Sequence, residues 1–169
     1  MPGSPTDGDG PGSIAVSAGD YLWFVDLALS TMAGIVEELG DDLANRRPPF
    51  RGGNSAYVTL TRCLGVMEYW GGAAVAERPV QRDRGAELGA SGDVAGLLRR
   101  TEHARRRLRE DIVGLDATAT PVGLRQGPED AAPYTRTKGA ALIHVLQELF
   151  ELLGHMQLTR DVLVAGARR

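Results

Sequence analysis

Cysteine is almost missing from this 169-residue chain; Cys63 is the only one. No internal disulfide can form, which fits a reducing cytoplasm. Long apolar runs are missing too. No stretch approaches the roughly 18 residues that a membrane-spanning helix needs. The opening MPGSPTDGDGPGS lacks the basic start and apolar run of a secretory signal. Aromatic residues make up 5% of the chain, which leaves the core mainly to Leu, Val and Ala. The formal charge of -3 gives no general affinity for nucleic acid or an anionic membrane. There is no Walker loop, no Rossmann glycine pattern and no paired CxxC. With 43% hydrophobic and 24% charged residues, the composition is that of a soluble globular domain with one core. The partner this leaves is a small-molecule substrate, met in the cytoplasm. A homodimer is left open.

What the chain does have is helical periodicity. Residues 1–16 are dominated by Gly, Pro, Ser and Asp at the start and read as a flexible tail. Residues 17–169 then form one all-α domain. Ser17 can cap the first helix, with Asp20 three residues on as in a capping box. Leu22, Val25, Leu29, Met32, Val36 and Leu39 recur at alternating spacings of three and four, a buried stripe. Gly40 is the expected stop. Residues 41–53, with Pro48, Pro49, Gly52 and Gly53, read as a connection. Asn54 or Ser55 caps a second helix that runs to about Trp70, where Gly71 and Gly72 weaken it. Leu60, Cys63, Leu64 and Met67 form its inner side, so Cys63 faces the core.

Residues 77–92, ERPVQRDRGAELGASG, carry charge and glycine with little helical period. They read as a long excursion at one end of the bundle, placed to cover a pocket mouth. Ser91 or Asp93 caps the third helix, whose inner stripe is Val94, Leu97, Leu98, Thr101, Leu108 and Ile112. Arg99, Arg100, Arg105, Arg106, Arg107 and Arg109 crowd that helix, with His103 among them. Without interleaved aromatics they read as a solvated face rather than a phosphate-binding surface. Residues 116–136 hold three prolines and form another connection. The fourth helix spans Thr137 to Arg160. The fold class is all-α, a four-helix bundle with long connections between helices 2 and 3 and between helices 3 and 4.

The fourth helix carries the chemistry. At about 100° per residue, His144, Glu148, Glu151 and His155 fall within roughly 60° of one another. Beside them runs an apolar stripe of Val145, Leu149, Leu152, Leu153 and Met156. A polar stripe next to an apolar one is what any surface helix shows. This one has no Lys or Arg between Lys138 and Arg160, and imidazoles transfer protons near neutral pH. Cys63 on a facing helix could join His144, Glu148 or His155 as zinc ligands, since thiolate, imidazole and carboxylate all bind zinc. A Cys–His pair could also serve covalent catalysis if the imidazole reaches the sulfur. The commoner reading of a lone inward cysteine is a small hydrophobe.

NSAYVTLTRCLGVMEYW (54–70), RPVQRDRGAEL (78–88) and HVLQELFELLGHMQLTRDVL (144–163) together resemble the DinB-like four-helix proteins of actinobacteria. These include the mycothiol-dependent maleylpyruvate isomerases and related thiol S-transferases. The resemblance implies a bundle holding a divalent metal between its second and fourth helices. It places the family's second-helix His ligand at Cys63, the acidic ligand at Glu148 and the last His at Leu152. His144 matches a common family His one turn before the Glu, and His155 stands where relatives often have Gln. Cysteine can still bind zinc, but leucine cannot.

The favoured expectation is therefore a metal-independent enzyme on a DinB-like fold, carrying out acid–base isomerisation, elimination or cyclisation, with natural-product tailoring one setting for it. His144, Glu148 and His155 are its expected catalytic groups. Cys63, Met67, Trp70 and Leu152 are expected to line the substrate, with Arg82, Arg84, Glu87 and Glu151 reaching it from the rim. No metal or other cofactor is expected. One alternative is a metal-dependent mycothiol S-transferase or isomerase, with zinc or nickel held by Cys63, His144, Glu148 and His155. The other is a non-catalytic protein that binds a small molecule.

Overall fold

The computed structural model describes residues 14–122 and 133–167. The tail expected over residues 1–16 lies outside these as far as residue 13. The same holds for residues 123–132 of the last connection. Among the described residues there is no strand, and no helix is long and apolar enough to cross a membrane.

Helix α1 spans Ala18–Asn45. Ser17 caps it, accepting the Asp20 N–H at 3.0 Å while its hydroxyl donates to the Asp20 carboxylate at 2.6 Å. Gly40 does not end the helix. It kinks the helix at φ 63°, and one further turn follows. That turn is held from outside. Asp41 accepts the Val94 N–H at 2.7 Å, and the Asn45 amide exchanges two hydrogen bonds with the Gly92 backbone.

Helix α2 spans Ala56–Val66, with Ser55 as its cap. It does not stop at Trp70. The chain stays helical through Met67–Val75 in wider π turns, in which Ala76 N–H reaches the Gly71 carbonyl at 3.0 Å. The glycines serve packing here. A Cβ at Gly71 would crowd Leu108, and one at Gly72 would land on the Arg78 guanidinium.

Short helix α3 (Arg84–Leu88) is followed by α4 (Val94–Asp111), capped by Asp93 through the Gly96 N–H at 2.6 Å. A 3₁₀ turn at Pro133–Thr135 precedes α5, Lys138–Ala167. Four long helices enclose one core. The core draws Val25, Leu29 and Met32 from α1, Leu60 and Cys63 from α2, Leu97 and Leu108 from α4, and Val145, Leu149 and Met156 from α5.

The direction of these helices corrects the expected position of the excursion. Tyr57, at the start of α2, lies against Gly92 just before α4. Gly71, near its far end, lies against Leu108. So α2 and α4 run parallel, and residues 76–93 must return the length of a helix. They form a strap along the side of α2 rather than a cap at one end. Ion pairs fix the strap. The Arg78 guanidinium takes Asp111 in a fork at 2.7 and 2.9 Å and Glu68 at 3.0 Å, over Gly72. Arg82 takes Glu87 in a second fork at 2.8 and 2.9 Å, over Gly65. Near its end Arg47 donates to the Leu88 carbonyl at 3.0 Å.

Cys63 is fully buried, as its place on the inner stripe of α2 implies. Its Sγ meets Met32 Sδ at 3.5 Å, and burial pushes the thiol pKa far above its ordinary value. A thiol reagent should therefore label native protein negligibly over minutes at pH 8 and modify it fully in denaturant. Rapid native labelling would contradict the packing.

Candidate functional site

Helix α5 lies antiparallel to α2, with Thr159 near Asn54 and His144 near Trp70. The strap runs along the outer side of α2. Between strap, α2 and α5 lies a cavity of about 410 Å³. Helix α5 contributes His144 and Glu148, which sit at i and i+4 and so share one face. Helix α2 and its π extension contribute Arg62, Val66 and Trp70, also at spacings of four. The strap contributes Arg82, Arg84, Glu87 and Leu88.

His144 is half-buried and held on one face and one edge of its ring. Tyr134 stacks on it at 4.1 Å with an interplanar angle of 13°. Trp70 meets it edge-on at 5.0 Å and 88°, and also packs edge-on against Tyr134 at 5.2 Å. Its Nδ1 lies 3.3 Å from Gln147 Oε1. A ring held this way has a fixed plane, and the position of its other nitrogen is fixed with it.

Charge in the cavity is uneven. Arg82 and Glu87 neutralise each other. Arg62 and Arg84 have no ion pair among the described residues, and Glu148 has none either. The cavity therefore presents two open guanidinium groups beside an imidazole and a carboxylate. That set can hold an acidic small molecule by its anionic group and place the rest of it against His144.

The expected site residues divide. His144, Glu148, Trp70, Arg82, Arg84 and Glu87 come together in this cavity. His155 does not. It is exposed and borders a separate cavity of about 270 Å³ beside Leu152, Asn54 and the loop at residues 50–53. The reason is length. Eleven residues of α5 rise roughly 16 Å, more than this cavity spans, and the first connection covers the far end of the stripe. Glu151 is exposed and accepts the Gln147 amide at 3.1 Å. Cys63 and Met67 belong to the core instead of lining the cavity, and Leu152 is buried with its edge on the second cavity.

The metal-ligand set of the alternative reading does not converge. Cys63 turns to Met32, His155 lies in the other cavity, and no three His, Cys, Asp or Glu side chains gather among the described residues. Sequence reasoning missed Arg62 and Tyr134. Arg62 had a signal: it is a lone cation on an apolar helix, spaced four and eight residues from Val66 and Trp70. Tyr134 sits in a connection without period, and nothing local pointed to it.

Compared with known proteins, the chain matches no family model, no curated protein and no solved structure.

Proposed function

We propose that this chain is a DinB-like bundle acting as a metal-independent acid–base enzyme on a small acidic molecule. The observation that carries the reading is the clamped imidazole of His144, set beside Glu148 and two open arginines in one cavity. Arg62 and Arg84 hold the anionic group of the substrate. His144 takes a proton from an adjacent carbon and returns it to the same or a neighbouring atom. Glu148 steadies the charged ring or acts as the second proton carrier. No net oxidant or co-reactant is needed for such an isomerisation. The thiol-transfer alternative is weaker because Cys63 is turned into the core and its thiol is disfavoured from ionising.

Deuterium wash-in tests this. Small 2-oxo and unsaturated carboxylates incubated with the protein in D₂O should exchange a carbon-bound proton, followed by proton NMR. His144→Ala should slow exchange by about 10²–10⁴-fold, the usual worth of a placed general base. The fold should survive, because the lost ring contacts are worth about 0.5–1.5 kcal/mol. Carboxylates that bind without exchanging any proton would instead mark a non-catalytic binding protein. Equal exchange by His144→Ala would remove the imidazole from the mechanism.

A further inference from the structure

The strap has a second side. Between it, α2 and α4 lies a groove of about 950 Å³, larger than the His144 cavity and separated from it by the Arg82–Glu87 pair, which borders both. We propose that this groove is a second binding site, for an organic anion with an apolar body.

The arginine cluster of α4 divides in a way its sequence does not show. Arg105 and Arg109 turn to Asp26 on α1 and form ion pairs there. Arg99, Arg100 and His103, earlier on the helix, face the groove. Arg99 has only Asp93, at 4.0 Å with both side chains largely exposed, and Arg100 has no ion pair among the described residues. The acids on the opposite wall do not compensate them. Glu68 is engaged by Arg78 and Glu87 by Arg82; Asp83, which caps α3, keeps its charge, one exposed carboxylate against two guanidinium groups. The α4 wall is thus left with open positive charge, and guanidinium forks match phosphate and carboxylate oxygens.

The rest of the groove suits an apolar body. Leu64, Val80, Ala86 and Ala104 line it, and Gly65 and Gly96 add no side chain of their own. Thr61, on the α2 wall, supplies an independent sign of a ligand. It is 5% exposed, and its buried hydroxyl has no hydrogen-bond partner. Buried hydroxyls are ordinarily satisfied, so this one asks for a partner that the protein does not provide. The walls are held in place by the two ion-pair forks, so binding orders little of the chain. The volume suits a small molecule, and no Phe, Tyr or Trp lines the groove as a platform for nucleic-acid bases. None of this rests on His144 being catalytic.

Phenyl phosphate, benzoate and inorganic phosphate are the probes, titrated by calorimetry and by amide NMR of the full chain. One of the two aromatic anions should bind and shift the amides of Gly65 and Gly96. Which one binds distinguishes a phosphate head from a carboxylate head. Arg99→Gln/Arg100→Gln should weaken it about tenfold or more, the usual worth of a charge-assisted hydrogen bond. Arg106→Gln, on the same helix outside the groove, should leave affinity unchanged. Thr61→Val should melt no lower than the parent yet bind severalfold more weakly. The proposal is overturned if neither aromatic anion binds. It is overturned if affinity survives Arg99→Gln/Arg100→Gln but falls with Arg62→Gln, which would place the anion beside His144. Inorganic phosphate binding as tightly as phenyl phosphate would overturn the apolar part of the assignment.

Discussion

Arg78→Ala is expected to lower stability by about 3–5 kcal/mol, the range for breaking one side of a buried ion pair. For a chain of this size that is a fall in melting temperature on the order of 10 °C. The reason lies with the partner left behind. The Asp111 side chain is 4% exposed, so its carboxylate cannot turn to water once the guanidinium is gone. It also ends α4, where the helix's own partial negative charge adds to the repulsion. The fork to Asp111, and then Glu68, raises the Arg78 pKa above its already high value, so the guanidinium stays charged across any working pH. Removing both charges in Arg78→Met/Asp111→Leu should therefore melt above the single variant. If Arg78→Ala melts within about 2 °C of the parent, the pair behaves as an ordinary surface contact and this account of the strap fails.

The same pair shows where sequence reasoning stops. Local signals were readable. Ser17, Ser55 and Asp93 cap where their side-chain chemistry places them, and the stripe of Leu60, Cys63, Leu64 and Met67 is buried as its period requires. Those features are decided by residues three or four apart. Arg78 and Asp111 are 33 residues apart, and no period in the strap announces them. Without them the parallel course of α2 and α4 was not legible, and the strap read as an excursion at one end. Gly71 and Gly72 looked like breakers because propensity is a local quantity. Their close approaches to Leu108 and Arg78 are tertiary. The His144 stripe was legible as a face, but periodicity reports angle around a helix and not what covers it. Two different loops cover its two ends, so one stripe became two cavities.

Replacing glycine by alanine should have opposite signs at two helical positions. Inside a helix alanine is favoured over glycine by roughly 1 kcal/mol. At Gly154 in α5 an added Cβ meets nothing within 4 Å, so Gly154→Ala should stabilise by about 0.5–1 kcal/mol. At Gly65 in α2 the Cβ would land on the Glu87 carboxylate and lie 3.1 Å from Arg82 Nε. A free glutamate would swing aside at little cost. This one is forked to Arg82, and the two side chains are 10% and 11% exposed, so moving one strands the other. Disrupting such a pair costs about 3–5 kcal/mol, which outweighs the helical gain and leaves Gly65→Ala about 2–4 kcal/mol less stable. The damage should also reach binding, because Arg82 and Glu87 divide the two cavities. Anion affinity in the groove and proton exchange at His144 should both fall, which a remote destabilising change would not produce in folded protein. Introducing Gly65→Ala into a Glu87→Ala background removes the clash, so the alanine should then cost little or stabilise. Gly65→Ala melting at or above the parent would show that the fork yields freely and that the wall between the cavities is soft.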